Sequence, residues 1–429
     1  MEYHSPCLNP DRLRIINSIK RSASILLDVP HRFKYFTLHG TQHIDNMLTV
    51  LDLLIDGGLV LKEYDLYLLI CAICVHDLGM VTKLFDSDYR AVVDGSMAES
   101  EPQLIEDYIR ANHHELIDSY ADSNFNFLVN LGVSVPDISL IISISRCHRR
   151  VDLHSQVGLI KPLGALLRLI DELDIYSSRA PISVLLRDYK DMDSVSCWHW
   201  FKHNICYDWC LRHNVFYEKD KFNCIRFELG VCPTSDDTIP YWLTNIIKPI
   251  NKALINQGVG EIISEEYGLK VDVVRSAELS VKHLLNEQWQ EIEEKALLGG
   301  GCIILVVDDE ARKIKDLFLH LSETYHIVYA SNAREGLEKM KAYDVSLAIV
   351  DLQIGSGGLW GEEETSNYKM TGLKICEEFR NIKSDIKIGV LTGSRYDTSM
   401  VADKELVFFL KKPIDPQDFE REVNNVLGS

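Results

Sequence analysis

Five short apolar runs that alternate with helical patterns fill the last third of the chain and constrain its fold most. The runs are CIILVVDD, HIVYAS, SLAIVDL, IKIGVLTG and LVFFLKKP, and they are typical of strands buried on both faces. The helical patterns are Ala311–Glu323, Ala333–Ala342, Gly372–Asn381 and Asp415–Leu427. This alternation predicts a doubly wound parallel sheet. The three glycines of Gly299–Gly301 come just before the first run and indicate a domain boundary.

Polar residues follow four of the five predicted strands. Asp308 and Asp309 end the first strand, Asp351 the third, Thr392 the fourth and Lys412 the fifth. Ligands bind at the carboxyl ends of the strands in such a sheet, so we expect these side chains to meet there. The carboxylates would repel each other without a hard divalent cation such as Mg²⁺. The lysine could hold a transferred phosphoryl group, and the threonine could hydrogen-bond to it.

These residues resemble the receiver domain of bacterial two-component response regulators, over Cys302–Leu427. The resemblance implies a flavodoxin-like fold and phosphotransfer to Asp351 from a histidine kinase or phosphotransfer protein. The ligands that it implies for Mg²⁺ are Asp308, Asp309, Asp351 and the backbone of Gln353. The residues that it implies as phosphoryl contacts and switch positions are Thr392, Phe409 and Lys412. A cis peptide bond is also expected before Pro413.

One segment departs from the receiver pattern. The glycine that usually follows the phosphorylated aspartate closely corresponds here to Gly372, so the acidic loop 353–371 is unusually long. Two interpretations remain open. The loop is a tolerated surface insertion, because loop length costs little entropy, or it is a partner-contacting lid over Asp351. In the second case, Glu362–Glu364 would repel a phosphodonor and alter kinase specificity.

The chain before the three glycines has mainly helical periodicity. The helical patterns are Ile44–Leu54, Tyr64–Val75, Gln103–Tyr120, Pro136–Arg149, Leu159–Ser178, Tyr241–Gln257 and Val274–Ala296. Between Ser196 and Cys232, SCWHWFKHNICYDW and NCIRFELGVC are rich in aromatic and branched residues and predict short strands or a hairpin. We therefore predict a mainly α-helical domain with a small β element over 1–298, followed by an α/β domain over 299–429. The helical domain would have its core at about 31–180 and an extension at about 196–298.

Ionisable residues interrupt the apolar patterns of this helical part. They are His43, His76, Asp77, His113, His148 and Asp171. His76 and Asp77 end an apolar helix, where two adjacent ionisable groups are costly unless they are paired or bound to a metal. His43 falls in the first turn of a helix for which Thr41 is a plausible N-cap. A single histidine is most often a core or surface residue, whereas an ordered His, His-Asp, Asp series on successive helices indicates a metal site.

That order resembles the HD phosphohydrolase superfamily, over roughly Thr37–Arg179. The resemblance implies an all-helical, metal-dependent hydrolase in which His76 and Asp77 are catalytic. The first metal ion would be bound by His43, His76, Asp77 and Asp171. A second ion would be bound by His113, with His114 as the rival, and by His148, with Asp77 as a bridge. Mixed imidazole and carboxylate ligands favour Fe, Mn, Zn or Co over Mg.

Several arginines lie near the implied metal site in sequence. They are Arg146, Arg149, Arg150 and Arg179. We expect Arg146 and Arg149 in particular to contribute to catalysis by binding substrate phosphate, although each could equally lie on a solvated helix face.

The subtype of HD domain is indicated by local sequence. HDLGM lacks a lysine, and no Gly-Tyr-Pro triplet follows, which disfavours the branch that hydrolyses cyclic di-GMP. The stretches FTLHGTQHIDNML, LLRLIDELDIYSSRAP and SCWHWFKHN resemble HD modules that accompany Hsp90-type ATPases in bacterial signalling and conflict systems. An ATPase of this type is therefore an implied partner.

Charge and composition disfavour nucleic acids and membranes as binding partners. Asp and Glu outnumber Lys and Arg by 64 to 45, a formal charge of −19, so a broad nucleic-acid-binding surface is disfavoured. The longest apolar run, Leu66–Val75, is too short to span a bilayer, and we see no signal peptide. The eleven cysteines have no secreted framework. We therefore expect a cytoplasmic protein with reduced thiols that does not bind membranes.

These features favour one function over two others. The leading hypothesis is a response regulator whose output is a metal-dependent phosphohydrolase that acts on a nucleotide or another phosphoester, under control of Asp351. The alternatives are a module that senses a nucleotide without turnover and a nuclease effector, which the acidic charge disfavours. The usual dimerisation face of receivers also makes a homodimer an expected assembly.

Overall fold

The protein was analysed as a computed structural model. The structure describes residues 2–28, 35, 37–81, 109, 112–118, 125–149, 151–207, 210–217, 223–282, 287–310, 314–318, 321–361, 365, 371–393 and 406–428. The chain divides into two compact units. The first unit consists of Met1–Met192, His199–Pro233 and Ile246–His283. The second unit consists of Asp193–Trp198, Thr234–Asn245 and Leu284–Ser429, so it contains two short segments from the region before the glycines.

Helices make up most of the chain up to residue 298. In chain order they are α1 (Pro10–Asp28), α2 (Thr41–Asp56), α3 (Glu63–Val75), α4 (Phe125–Asn130), α5 (Val135–Arg146), α6 (Ile160–Glu172), α7 (Ile182–Asp188), α8 (Ser194–Asn204), α9 (Ile239–Asn251), α10 (Val259–Tyr267) and α11 (Glu287–Leu297). Residues 112–118 are also helical. Short 3₁₀ segments cover Leu78–Met80, Ser177–Arg179 and Asp236–Thr238, and a π-helix covers Lys252–Asn256.

Helix α3 lies at the centre of the first unit. Every side chain from Leu66 to Val75 is buried, and α3 packs against α1, α2, α5 and α6. A helix that is apolar on all sides is stable only inside a core. His76 and Asp77, the polar residues that directly follow α3, are therefore buried as well.

The strands predicted over SCWHWFKHN are wrong, because this segment is helix α8. Four of the residues that it buries, Cys197, Trp200, Phe201 and Asn204, have the i, i+3, i+4, i+7 spacing of one helix face. The aromatic and branched composition, which favours strands, is a weak preference that burial of a face outweighs. The spacing was the signal that composition obscured.

A small three-stranded sheet follows α8. Strands β1 (Leu211–Tyr217) and β2 (Asn223–Leu229) pair antiparallel, as predicted for the β element, and β3 (Leu269–Arg275) pairs parallel to β2. The helix predicted over Val274–Ala296 is therefore wrong at its start. LKVDVVR alternates apolar and polar residues, which is the period of a strand, and α11 begins at Glu287.

The second unit contains the predicted five-stranded sheet. Its elements are β4 (Ile303–Val307), α12 (Leu321–Thr324), β5 (His326–Ala330), α13 (Ala333–Ala342), β6 (Val345–Val350), α14 (Thr371–Ile382), β7 (Lys387–Thr392), β8 (Phe408–Lys411) and α15 (Pro416–Leu427), with a 3₁₀ segment at Lys315–Phe318. All neighbouring strands are parallel, in the order β5-β4-β6-β7-β8. This is the flavodoxin-like order, and the prediction of that fold is confirmed.

Helices cover both faces of this sheet and bury two apolar clusters. One cluster includes Ile303, Leu305 and Val307 from β4, and the other includes Ile304 and Val306 from the same strand. Burial on both faces is the reason why the strands read as continuous apolar runs. Among the described residues, no helix is both long and apolar enough to cross a membrane.

Candidate metal centre and phosphorylation site

The first turn of α2 carries His43, and α1 holds this turn in place. The N-cap of α2 is Gly40, not Thr41 as expected, and no side chain of its own caps the helix. Instead, the carboxylate of Asp28, at the end of α1, accepts hydrogen bonds from the backbone N–H and hydroxyl of Thr41 at 3.0 and 2.5 Å. A Cβ on Gly40 would lie 1.6 Å from Asp28 Oδ1. Glycine therefore makes room for a cap that comes from another helix.

The end of α3 carries His76 and Asp77, and Gly79 brings a second histidine towards them. A Cβ on Gly79 would lie 1.9 Å from the carbonyl oxygen of His113 and 3.1 Å from the backbone nitrogen of Ile117. The helical segment 112–118 thus packs directly on the backbone that follows Asp77. Because this contact is between backbones, a larger residue at position 79 has no flexible side chain to displace.

We therefore expect Gly79→Ala to destabilise the first unit by roughly 1–3 kcal/mol, the usual cost of overpacking. The measurement is the free energy of unfolding from urea titration of the metal-free protein. Gly355→Ala is the control, because a Cβ there would meet no atom within 4 Å. Equal stability of the two variants would show that the 112–118 segment is not held against Gly79.

Four of the predicted residues meet in a first group, in which all but the half-buried Asp171 are buried. The Nε2 atoms of His43 and His76 lie 3.2 Å apart. Asp171 Oδ1 lies 3.5 Å from His43 Nε2, and Asp77 Oδ2 lies 3.2 Å from His76 Nε2 and 3.5 Å from His43 Nε2. The structure therefore brings together the four side chains that the sequence indicated for a first ion.

A second group forms on the other oxygen of Asp77. Asp77 Oδ1 lies 3.4 Å from His113 Nε2 and 3.8 Å from His148 Nε2, and these two nitrogens are 2.9 Å apart. His114 faces elsewhere, with Nε2 3.8 Å from a carboxylate oxygen of Glu115. Of the two rival histidines, His113 is thus the one that faces Asp77.

The chemistry of these donors fits metal ions. In each of the four histidines, Nδ1 lies next to an oxygen acceptor. For three of them the acceptor is a backbone carbonyl: Ile73 O for His76 at 2.8 Å, Ile109 O for His113 at 3.3 Å and Ser145 O for His148 at 2.6 Å. For His43 it is the carboxylate oxygen Asp174 Oδ2, at 2.5 Å. A neutral imidazole that donates through Nδ1 has a bare lone pair on Nε2. Lone pairs that face each other at about 3 Å repel, whereas a cation between them binds both. Ligands about 2.0–2.1 Å from one ion are themselves roughly 3 Å apart.

The electrostatics of these groups favour positive charge at the centre. Burial holds the pKa of His148 well below its usual range, so this histidine is neutral, as a metal ligand must be. Burial alone would also lower the pKa of His76, but the charge of Asp77 outweighs it and raises that pKa to about 8. Without a metal ion this histidine therefore holds a proton at neutral pH, and a metal ion would displace that proton. Burial likewise opposes the charge on Asp77, yet His76 holds the pKa of Asp77 well below its usual range. The centre therefore attracts a cation.

The second predicted site lies at the carboxyl ends of the parallel strands. Asp351 Oδ1 accepts from the Thr392 hydroxyl at 2.7 Å and from the backbone N–H of Gln353 at 3.2 Å. Lys412 Nζ lies 2.5 Å from Asp308 Oδ2 and 2.8 Å from Asp351 Oδ2. Asp308 is buried and Asp309 is exposed. The peptide bond between Lys412 and Pro413 is cis, as the resemblance implied.

The electrostatics of this site depend on the lysine. Burial raises the pKa of Asp308, although the hydrogen bond and charge of Lys412 oppose the shift. Burial alone would lower the pKa of Lys412, but its hydrogen bonds to Asp308 and Asp351 outweigh burial and raise it. An ammonium group thus neutralises part of the acidic cleft.

Comparison with protein families identifies two domains in the chain. The family model HD-CE matches residues 33–228, and the model of the response regulator receiver domain matches residues 304–424. The chain joins an HD-type domain to a receiver domain. It is therefore a two-component regulator, and its receiver domain implies a phosphodonor partner such as a histidine kinase or phosphotransfer protein. A search of curated proteins found no match.

Solved structures similar to this chain cover its receiver domain. Response regulator TrrA of Thermotoga maritima, in complex with Mg²⁺ and BeF, is 27% identical, and the match covers 29% of this chain and 99% of that one (TM-score 0.25). A receiver domain protein of Clostridium thermocellum is 25% identical over 30% and 95% of the two chains (TM-score 0.25). The receiver domain of an HD domain-containing protein of Pseudomonas fluorescens is 20% identical over 30% and 94% (TM-score 0.25).

The expected switch residues of the receiver domain lie next to its acidic cleft or its core. Thr392 is fully buried, whereas Phe409 is half-buried and packs against Leu352, Leu373 and Val390.

The described part of the long loop packs on the receiver domain. Its residues Leu359 and Trp360 contact the core, and Lys374 Nζ lies 4.8 Å above the ring of Trp360. Glu362–Glu364 lie outside the described residues.

The arginines expected in the HD-type domain have different surroundings. Arg146 pairs with Asp118 at 2.7 Å, Arg149 is exposed, and Arg150 lies outside the described residues. Charged groups nevertheless surround Glu172, which follows the predicted ligand Asp171. Burial and the charge of Asp171 raise the pKa of Glu172, and Lys202, Arg149 and Arg179 oppose this shift. Sequence reasoning missed Lys202, because α8 was not predicted as a helix.

Two buried residues beside the metal groups were also missed. Asp174 contacts His43, as described above, and Arg168 lies three residues before Asp171 on α6. The only local signal was their position in the apolar stretch ALLRLIDELDI, where each charged group must have a partner.

Proposed function

We propose that the HD-type domain is a metal-dependent phosphohydrolase that acts on a nucleotide or another phosphoester, and that phosphorylation of Asp351 controls it. The observation that carries the first part is the shared carboxylate of Asp77, whose two oxygens face two groups of imidazole Nε2 atoms. A purely structural core has no use for lone pairs that face each other at about 3 Å.

The residues of this centre would hold Fe, Mn, Zn or Co ions. His43, His76 and Asp171 would bind one ion, His113 and His148 the other, and Asp77 both. Divalent ions bound there supply the lowered pKa of a water nucleophile and neutralise phosphate charge. The chain itself orients the ligands through the Nδ1 hydrogen bonds, which fix each ring and its tautomer.

A cationic group beside the centre supports an anionic substrate. Arg149, Arg179 and Lys202 act electrostatically on Glu172, next to Asp171. These cations place positive charge next to the carboxylates of Glu172 and Asp171, and Arg179 also lies 3.6 Å from Asp174 Oδ2. We infer that these cations bind substrate phosphate, together with the nearby Arg146.

The experiment that tests the enzyme is metal analysis of the purified protein, followed by a screen of nucleotides and phosphoesters for phosphate release. We expect bound transition metal and turnover of at least one nucleotide class. Nucleotide binding without release by the metal-loaded protein would instead favour a non-catalytic sensing module.

The receiver domain would accept the phosphoryl group at Asp351 and bind Mg²⁺ through Asp308, Asp309, Asp351 and the backbone of Gln353. Its ammonium group supports this role: Lys412 already lies 2.8 Å from Asp351 and would pair with the phosphoryl group. Thr392, which donates to Asp351, would transfer its hydrogen bond to the same group. Phe409 lies on β8, the strand next to β7, and would reorient when Asp351 is phosphorylated.

We predict that beryllofluoride with Mg²⁺ changes the phosphohydrolase rate by about 5–150-fold, which corresponds to a coupling free energy of about 1–3 kcal/mol. The measurement compares initial rates of the full-length protein with and without beryllofluoride. Asp351→Asn is the control and should not respond. Equal rates for all samples would show that the two domains are only tethered and that the receiver domain recruits partners.

A further inference from the structure

The end of α6 and the turn that follows it carry two buried charged residues, one on either side of Asp171. Arg168 precedes it by one helical turn, and Asp174 follows it, with the Asp174 N–H donating to the Asp171 carbonyl at 3.1 Å. Arg168 and Asp174 are 3% and 2% exposed. Burying a charge is costly, and the predicted ligand set explains neither residue.

Asp174 contacts the first metal group. Its Oδ2 lies 2.5 Å from Nδ1 of His43, and its Oδ1 accepts from Nδ2 of Asn46 at 2.8 Å. Asn46 lies one turn after His43 on α2, so the carboxylate holds two successive turns of that helix face. A carboxylate on Nδ1 keeps the proton there and leaves Nε2 bare for a metal.

Arg168 contacts the turn that carries His148, a residue of the second metal group. Its Nε donates to the Cys147 carbonyl and its Nη2 to the Val151 carbonyl, both at 2.8 Å, and its Nη1 donates to Gln257 Oε1 at 3.0 Å. The two carbonyls flank His148 in the chain. One planar guanidinium therefore fixes both ends of the turn that carries this histidine.

We infer that α6 and the turn that follows it contain two positioning residues that tune the two metal sites separately. Asp174, in the turn, sets the first site through His43, and Arg168, on the helix, sets the second site through the His148 turn. The inference rests on the proposed metal centre and deepens it. It also separates the roles of the two residues, because no described hydrogen bond joins Asp174 to the His148 turn or Arg168 to His43.

The test is titration of the metal-free, full-length protein with Co²⁺, followed by its visible absorption. We expect two binding steps in the wild type, which His43→Ala and His148→Ala assign to the first and second site. Asp174→Asn should weaken Co²⁺ affinity at the first step by about 10–100-fold, the usual effect of removing a residue that hydrogen-bonds to a metal ligand. It should also change the absorption band of that step. Arg168→Lys, which keeps the charge but cannot hold both carbonyls, should weaken the second step by a similar factor.

Two variants serve as matched controls. Gln257→Ala removes the third contact of Arg168 but leaves both carbonyl contacts. Ser178→Ala removes a hydroxyl that contacts Asn46 and leaves the contact between Asp174 and His43. Both controls should bind Co²⁺ as the wild type does.

The outcomes distinguish this inference from the proposed function. General unfolding would remove both binding steps together, so loss of one step alone supports a positioning role. Unchanged steps in Asp174→Asn and Arg168→Lys, or loss of the same step in both, would overturn the inference and leave the metal centre intact. Absence of Co²⁺ binding by the wild type would overturn the metal centre and the inference with it.

Discussion

Replacement of both His76 and Asp77 by alanine should empty the metal centre and abolish phosphohydrolase activity. Asp77 contributes one oxygen to each of the two groups, and His76 lies 3.2 Å from both Asp77 and His43. The double substitution therefore removes ligands from both ions at once. We expect the metal content of the purified variant, measured by mass spectrometry, to fall from stoichiometric to background, and phosphate release to fall with it.

The matched control for this variant is His114→Ala. His114 is the neighbour of His113 and is equally buried, but it faces Glu115 instead of Asp77. The control should retain the metal. Stoichiometric metal in the His76→Ala, Asp77→Ala double variant would overturn the assignment of the centre, and activity without metal would overturn the proposed chemistry.

Replacement of Asp351 by asparagine should abolish phosphorylation of the receiver domain. An amide cannot form the acyl phosphate, and it has no charge to pair with Lys412 or Mg²⁺. We expect a small phosphodonor in Mg²⁺ to modify the wild type and not the variant, as measured by intact-protein mass. Beryllofluoride binding should be lost in the same variant, because the complex needs the carboxylate oxygen.

Asp344→Asn is the control for charge loss in the same domain. Asp344 is an exposed residue just before β6 that pairs with Lys383 at 2.6 Å, so its substitution should leave phosphorylation unchanged. Modification that persists in Asp351→Asn would show that another residue accepts the phosphoryl group. Failure of beryllofluoride to bind the wild type would show that the cleft no longer works as a receiver site.

The receiver domain was the part most predictable from sequence. Its strands are buried on both faces, so each reads as an apolar run, and the residues that end the strands are adjacent to those runs in the chain. Asp308, Asp351, Thr392 and Lys412 could therefore be brought to one edge by topology alone. The fold that joins them is confirmed, while their roles in phosphotransfer remain predictions.

The HD-type domain was less predictable because its key contacts join distant parts of the chain. Asp174 and His43 are separated by 131 positions, and no local pattern indicates which carboxylate reaches which imidazole. At α8 the local composition opposed the final state, whereas at β3 the alternation typical of a strand was present and the predicted helix overlapped it. Burial of a helix face and a parallel neighbour for β2 decided those elements.

By itself, the sequence determined the kinds of elements that recur with a clear period, the order of the metal-binding residue types and the polar ends of the parallel strands. Only the tertiary structure decided which groups face each other: His113 instead of His114, both oxygens of Asp77 between two pairs of imidazoles, and Arg168 and Asp174 on either side of Asp171. The physical reason is that periodicity records whether a residue is buried, whereas the partner of a buried charge depends on the packing of helices that are far apart in the chain.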